Sequence, residues 1–321
     1  MKIGTDQYNT FDTMTMDCWN DRVYYEGKKF PAGHFAAEIL NFAGVIHDPL
    51  PERITVLTAL VDDLSTAEKS KRHDIAAQLK PLLHDTVSWL YTCPPFCYCE
   101  SQGAYEDLEH ALSEERLDRD YEEGEAHLPY LALSSCEPIL RILVAIYNFC
   151  LLIRAFEKKY LRRAKRRNAD AFAKAAHECF DEDDSFLILL EQMPFGGVEE
   201  FFSYPRVITG FNYFQDENDA EKWKTAQRVI YKRAIDFYVF DLMNGLYHGH
   251  APSQCQGCGR YFLTTNGHIP KYCDGVAPQD NRYTCRQYGA MMHQKEQNKQ
   301  HPVYRLFNTR TDTMLTEGAW L

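Results

Sequence analysis

The feature that most constrains this chain is a set of four cysteines near its C-terminus. Cys255, Cys258, Cys273 and Cys285 follow the spacing C-x2-C-x14-C-x11-C. Zn²⁺ prefers four ligands at tetrahedral corners, and C-x2-C is the short turn that supplies two thiolates. The residues between the cysteines contain turn signals and too few apolar side chains for a core, so a metal would hold them together. The sequence therefore predicts one structural zinc ion bound by these four cysteines.

Other interpretations of the same residues stay open. His248, His250 and His268 lie close enough in the sequence to replace one cysteine as a ligand. Four ordinary thiols or two disulfides would give the same count, but the N-terminus has no export signal and disulfides belong to oxidising compartments. A catalytic zinc site keeps an open position and usually uses histidine or carboxylate ligands, so four thiolates indicate a structural site.

A resemblance to known families rests on three short motifs of this region. The chain contains CQGCGRYF, YCDG and TCR in that order between Leu246 and Ala290. This stretch resembles the C-terminal signature of an uncharacterised bacterial family, a domain of unknown function. It is more distantly similar to the CGNR-type zinc fingers, whose treble-clef-like site is associated with DNA binding in bacterial regulators. The resemblance implies a treble-clef-like finger with a C-terminal helix, in a bacterial protein that binds DNA.

Helical periodicity dominates the chain before the cysteines. Apolar residues recur every three or four positions over most of it, which is typical of amphipathic helices. The main predicted elements are a hairpin about Glu26-Gly27, an apolar helix over Leu128–Phe156, a short strand or extended arm within 199–210 and a helix over Ala220–Leu246. The predicted fold class is mainly α. A helical domain of residues 1–245 would precede a zinc-binding module of residues 246–321.

The apolar helix and the basic run that follows it have alternative interpretations. Ile142–Ile153 is the longest apolar stretch, at twelve residues broken only by Asn148, and it is too short to span a bilayer. We therefore expect a buried core helix and no membrane partner. Lys158–Arg167 contains seven Lys/Arg in ten residues and is predicted on the continuation of that helix. It is either a solvated surface paired with acidic runs or a stripe that contacts phosphates.

A second metal site and an enzymatic function find less support. The segment CPPFCYC carries Cys93, Cys97 and Cys99, which could bind a metal together with His84 or His110. Its spacing is not a recurrent zinc pattern, and its two prolines indicate a loop that ends a helix. The chain has no GxGxxG, P-loop, HExxH or GxSxG motif. No catalytic residue is predicted.

Charge is unevenly distributed along the chain. The net charge is −11, and residues 251–321 carry eight Lys/Arg against five Asp/Glu, a balance of +3 that leaves −14 for residues 1–250. A contact with nucleic acid would therefore be local to the C-terminal module. The basic residues predicted to contact phosphates are Arg260, Lys271, Arg282, Arg286 and Lys295. The same residues could instead offset the charge of a zinc–thiolate cluster.

The predicted function is that of a cytoplasmic, zinc-binding protein that binds nucleic acid, DNA or RNA, in a regulatory role. Eleven cysteines without a secretory signal favour the cytoplasm. The alternative is a protein-interaction adaptor in which the zinc is purely structural, since the acidic helical body and the many aromatic residues suit a protein partner. The helix after the last cysteine distinguishes the two, because a basic exposed face favours nucleic acid and an apolar covered face favours an adaptor.

Overall fold

The computed structural model describes residues 13–43, 49–99, 102–118, 121–123, 126–128, 130–193, 195, 206–216, 219–265, 267, 271–303, 306–307, 309–311 and 313. The strands are β1 (Met14–Trp19), β2 (Arg22–Tyr25), β3 (Lys28–Pro31), β4 (Tyr121–Glu123), β5 (Ala126–Leu128), β6 (Val207–Asp216), β7 (Asp219–Tyr231), β8 (Ala251–Gln254), β9 (Tyr261–Thr264), β10 (Val276–Ala277) and β11 (Asp280–Thr284). The helices are α1 (His34–Glu38), α2 (Leu50–Thr66), α3 (Lys69–Leu90), α4 (Gln102–Ala111), α5 (Glu114–Asp118), α6 (Tyr130–Lys159), α7 (Ala169–Phe180), α8 (Asp184–Glu191), α9 (Ala234–Tyr247) and α10 (Cys285–Gln300).

The chain divides into two compact units. The first unit comprises residues 1–253 and 263–268, and the second comprises residues 254–262 and 269–321. The chain therefore leaves the first unit at the end of β8, returns to it briefly through the end of β9, and leaves again. All four cysteines of the predicted zinc site lie in the second unit.

A five-stranded antiparallel sheet in the first unit overturns the predicted fold class. Its strand order is β3-β2-β1-β7-β6. The prediction of a mainly α fold with a helical N-terminal domain is therefore wrong, although the hairpin about Glu26-Gly27 is present as β2–β3. The error lies chiefly in Ala220–Leu246, which was predicted as one helix and forms β7 followed by α9. Of the segment 199–210, in which a short strand or extended arm was predicted, residues 199–205 lie outside the described residues, and strand β6 runs from Val207 to Asp216.

The physical reason for this error is that the apolar residues of β7 fit the spacing of a helix as well as the alternation of a strand. Trp223, Ala226 and Ile230 are spaced as on a helix, but Val229 and Tyr231 alternate on the buried face of a strand. Pairing with β1 on one side and β6 on the other satisfies the backbone of β7. Such tertiary pairing overrides the local helical preference of the segment.

Helix α9 packs on the buried face of this sheet and is joined to α1 by a buried carboxylate. The rings of Tyr231 and Phe237 meet edge to face with centroids 5.3 Å apart. Asp241 is fully buried and accepts hydrogen bonds from the backbone N–H groups of Gly33 and Ala36, both at 2.9 Å. It thereby satisfies donors at the start of α1 that have no partner within the helix.

Helix α6 forms from the segment predicted to be a buried core helix. Leu143, Ile146 and Phe149 on it are completely buried. Within the described part of the chain, one helical stretch, Ala132–Arg163, which comprises most of α6 and the 3-10 turn after it, is long and apolar enough to cross a membrane, with a mean hydropathy of 2.0 over its most apolar window. Since 56% of its most apolar window is buried inside the protein, it has the character of a core helix.

The basic run does not continue this helix as predicted. Helix α6 ends at Lys159, a 3-10 turn covers Leu161–Arg163, and α7 begins at Ala169. Asn168 explains the new start, because its side chain accepts a hydrogen bond from the Ala171 N–H at 3.0 Å and caps α7. The run is therefore a connection between two helices, and its cations are not spread around a helical surface.

Candidate metal centre

The second unit brings the four predicted cysteines together. The sulfur atoms of Cys255, Cys258, Cys273 and Cys285 all lie within 4.8 Å of one another, and those of Cys258 and Cys273 are 3.6 Å apart. A tetrahedral zinc ion with Zn–S bonds of about 2.3 Å requires sulfur atoms about 3.8 Å apart. The cluster therefore fits a metal ion with four thiolate ligands.

A tight turn after β8 positions the first two cysteines. The Cys255 N–H donates to the Arg260 carbonyl at 2.8 Å, and the Gly259 N–H donates to the Cys255 carbonyl at 2.9 Å. These two bonds close the C-x2-C segment into a loop. The side chains of Cys255 and Cys258 therefore project from one short turn, as the spacing predicts.

The other two cysteines are fixed by α10 and the residues before it. Cys285 is the first residue of α10, and the Thr284 side chain caps the helix by accepting a hydrogen bond from the Gln287 N–H at 3.2 Å. The Cys285 N–H donates to the Gly275 carbonyl at 2.7 Å, and the Arg286 N–H donates to the Cys273 carbonyl at 3.1 Å. The backbone thus ties the loop that carries Cys273 to the start of α10.

Close packing of an aromatic ring on α10 strengthens this tie and was not predicted from the sequence. A Cβ atom at Gly289 would lie 2.4 Å from the ring of Tyr272, so the ring rests directly on the helix backbone. Tyr272 is the residue before Cys273, and Gly289 is one helical turn after Cys285. The glycine within a predicted helix is the signal that could have identified this contact.

Backbone donors favour a thiolate at Cys255. Burial acts to raise its pKa, but hydrogen bonds from the N–H groups of Cys273, Cys258 and Gly257 outweigh burial and lower the pKa to about 7. Two of these bonds are 3.3 Å (Cys273) and 3.4 Å (Gly257) long. Burial raises the pKa of Cys273 and Cys285. Four thiolates this close repel one another, so a bound cation is what would allow all of them to ionise.

The alternative ligand sets are not formed within the described residues. His250 belongs to the first unit, where its Nδ1 is hydrogen-bonded to the Ala32 carbonyl at 2.9 Å, and His248 lies there too. His268 lies outside the described residues. All eleven cysteines are free thiols, so no disulfide competes with the metal site.

The second metal site considered at Cys93, Cys97 and Cys99 is not formed in the part of the chain that the structure describes, where the only cluster suited to a metal is the four-cysteine group. Cys93 is buried and donates to the Trp89 carbonyl at 3.4 Å, and Cys99 lies 3.1 Å from the Tyr25 hydroxyl. The side chain of His84 is 2.7 Å from Glu109. Packing and local hydrogen bonds therefore account for the positions of Cys93, Cys99 and His84 without a metal.

The five predicted phosphate-contacting residues are all exposed, but they fall into two classes. Arg282 forms two bonds to Asp280, at 2.7 and 3.0 Å, and lowers the pKa of that carboxyl to about 2. Arg286 lies 3.0 Å from Asp274. Among the described residues no ion pair engages the other three, Arg260, Lys271 and Lys295. The two acidic partners were missed, although the spacing Asp280-Asn-Arg282 was visible in the sequence.

Comparison with known proteins finds a family match that includes the cysteine cluster. Residues 203–318 match a family of unknown function, DUF6076. The match covers β6, β7, α9 and the whole four-cysteine cluster, which agrees with the resemblance inferred from the three motifs. The similarity to CGNR-type fingers stays a hypothesis. Neither the curated proteins nor the solved structures include a match.

Proposed function

We propose that the protein binds one structural Zn²⁺ through Cys255, Cys258, Cys273 and Cys285 and uses the surrounding module to bind nucleic acid. The thiolate-only ligand set supports zinc, because soft sulfur ligands in tetrahedral arrangement select Zn²⁺ or iron–sulfur chemistry over Mg²⁺ or Ca²⁺. The zinc would fix the turn, the loop and the helix start in one geometry. DNA is the proposed target, and the proposed role is regulatory and cytoplasmic.

The exposure of α10 is the observation that carries the proposal. Arg286, His293, Lys295 and Lys299 on this helix are exposed, against one exposed acidic residue, Glu296. The helix therefore presents a polar and net basic surface. Among the helix residues whose burial is described, only Cys285 and Gly289 are buried; the first is a proposed ligand and the second packs against the ring of Tyr272. Such a helix is suited to contact phosphates and is poorly suited to cover an apolar partner.

The number of basic side chains that can contact phosphates determines the expected salt dependence of nucleic-acid binding. Arg260, Lys271 and Lys295 are free to approach phosphates, whereas Arg282 and Arg286 would first have to leave their carboxylate partners. Three phosphate contacts predict a log–log salt dependence of binding of about −2.7, from roughly 0.9 per contact. The −14 balance of residues 1–250 repels polyanions and keeps binding confined to the module.

A protein-interaction adaptor remains a second candidate because of a different surface. Phe211, Tyr213 and Trp223 on the β6–β7 hairpin are 73%, 64% and 65% exposed. The register places Phe211 opposite Gln227 and Tyr213 opposite Thr225, so the three aromatic side chains share one face of the ribbon. Exposed aromatic clusters are typical of protein-binding surfaces.

The test is the salt dependence of DNA binding by the zinc-loaded full chain, measured by fluorescence anisotropy between about 50 and 200 mM salt. The wild type should give a slope near −2.7, and the triple variant Arg260→Gln/Lys271→Gln/Lys295→Gln should give a slope near zero with unchanged zinc content. The matched control is Arg282→Gln, which removes a cation already paired with Asp280 and should leave the slope within one unit. Absence of salt-sensitive binding to duplex DNA and to single-stranded RNA would reject nucleic acid as the target.

A further inference from the structure

A cavity lined by cations lies in the first unit, between the end of α6 and α7. Its volume is about 470 Å³, within the range of sites that hold small molecules. Five of its ten lining residues are lysine or arginine: Lys159, Arg163, Lys165, Arg166 and Lys174. Glu178 is the one acidic residue in the lining. The cavity therefore selects for an anion.

Three of the five cations are available to a ligand. Lys159 is neutralised by Asp183, with Nζ 2.5 Å from the carboxylate, and Lys174 lies 3.5 Å from Glu178. In the described part of the chain, no ion pair or side-chain hydrogen bond engages Arg163, Lys165 or Arg166, and all three are exposed. Three positive charges without a counter-charge thus converge on one concave site.

The break between α6 and α7 creates this convergence. A continuous helix would distribute the seven cations of the run around its circumference, because successive residues are rotated by about 100°. The last cation of the run instead turns inward. Arg167 is buried and donates to the Thr264 hydroxyl at 3.2 Å and to the Pro252 carbonyl at 3.4 Å. With Arg167 anchored inside, the residues just before it line the cavity.

The rest of the lining is apolar. Ala164, Ala171 and Ala175 contribute methyl groups, and the hydroxyl of Tyr160 is already engaged as a donor to Asp183. The lining contains no Asn, Gln, Ser or Thr that could read the edge of a nucleobase. The site therefore attracts phosphates strongly, and its remaining surface offers the rest of a ligand no base-specific hydrogen bonds.

We propose that this cavity binds a small polyphosphorylated ligand of the nucleoside di- or triphosphate class. The phosphate chain would be held by Arg163, Lys165 and Arg166, since a ligand with three or four negative charges matches the three available cations. The small volume favours a mononucleotide over a polynucleotide. The absence of base-reading groups in the lining predicts weak discrimination between nucleobases. This site is separate from the metal centre and independent of the proposed nucleic-acid contact.

The test is calorimetric titration of the full chain with ATP, ADP, inorganic tripolyphosphate, orthophosphate and adenosine. ATP and tripolyphosphate should bind with affinities within about tenfold of each other, because the phosphate chain makes the charged contacts. Orthophosphate should bind at least about a hundredfold more weakly than ATP, and adenosine should show no measurable binding. GTP in place of ATP should change the affinity by less than about tenfold.

Substitutions locate the site. Lys165→Gln should weaken ATP binding about tenfold, and Arg163→Gln/Lys165→Gln/Arg166→Gln should weaken it at least about a hundredfold, because each removes a charge-assisted hydrogen bond. Lys158→Gln is the matched control: it is an exposed lysine of the same run outside the cavity lining, and it should leave affinity within about twofold. Circular dichroism verifies that the variants are folded.

Three results would overturn the proposal. An equal loss in Lys158→Gln and Lys165→Gln would show a general effect of the basic run and no site. Failure of the wild type to bind either ATP or tripolyphosphate at millimolar concentration would exclude a polyphosphate ligand. If duplex DNA binding fell in the triple cavity variant while ATP did not bind, the run would be a polynucleotide contact instead.

Discussion

Replacing Cys273 by serine gives the sharpest test of the metal centre. This residue connects the parts of the site, because its N–H donates to the Cys255 sulfur at 3.3 Å and its carbonyl accepts from Arg286. The structural core of the second unit is small. Among the described residues, its hydrophobic core cluster consists of Cys255, Cys273, Cys285 and Ala277, so three of the four are proposed ligands. We therefore expect the stability of the unit to depend on the proposed zinc ion.

The expected magnitude follows from this small core. Phe262, Tyr272 and Tyr288 are partly buried against it, and half-burial of three aromatic side chains contributes roughly 3 kcal/mol. A four-cysteine zinc site contributes about 10 kcal/mol or more, so one ligand accounts for roughly 2.5 kcal/mol or more. Cys273→Ser should therefore weaken zinc affinity by about a hundredfold or more and leave the second unit unfolded at limiting zinc.

Atomic emission measures zinc per chain, and competition with a chromogenic chelator measures affinity. Wild-type protein should contain one zinc per chain. Hydrogen exchange of residues 271–300 reports whether the second unit is folded. Cys97→Ser is the matched control, because Cys97 is an exposed thiol outside the cluster, and it should keep full zinc content. Wild-type zinc affinity in Cys273→Ser would refute the assignment of this ligand.

Three further predictions concern the first unit and its independence from the metal. Burial raises the pKa of Asp241 from 3.8 to about 7 despite hydrogen bonds from Ala36, Gly33 and Phe35. The folded state therefore binds the proton more tightly, and wild-type stability should fall by up to roughly 4 kcal/mol as pH rises from about 4 to about 7. Urea midpoints of Asp241→Asn should lack this decline. Gly245→Ala should cost about 1–3 kcal/mol by thermal denaturation, because its Cβ would lie 2.8 Å from the Gly33 Cα, whereas Gly210→Ala, with nothing within 4 Å, should be neutral. Chelation should abolish exchange protection in residues 271–300 and leave the sheet protected; a single transition for the whole chain would contradict this independence.

The four-cysteine cluster was predictable because its determinants are local. Cys255 and Cys258 share one turn, and the ligand chemistry of zinc restricts the spacing of such residues. The hairpin about Glu26-Gly27 and the core helix α6 were predicted for the same reason, since their turn residues and apolar periodicity are contained in short segments. Each of these predictions needed no knowledge of distant parts of the chain.

The sheet was missed because its determinants are distant in the sequence. No local pattern predicts that β1 pairs with β7. The helical spacing of Trp223, Ala226 and Ile230 instead indicates a helix where β7 forms. The ion pairs of Arg282 with Asp280 and of Arg286 with Asp274 were missed because an arginine, rich in hydrogen-bond donors, can pair with any nearby carboxylate, and the loop conformation decides which one it contacts. The cavity depends on the capping of α7 by Asn168, a single side chain that interrupts an otherwise helical run.

The pairing of β1 with β7 constrains how the chain folds during its synthesis. Met16 on β1 and Tyr231 on β7 are 215 positions apart. At about 5–20 residues per second, a ribosome needs roughly 10 to 45 s to produce the strand that completes the sheet. Throughout this interval β1 lacks its inner neighbour, and unpaired strand edges promote aggregation. Strand β1 is therefore synthesised long before β7, and it reaches its final structure only after β7 has been made.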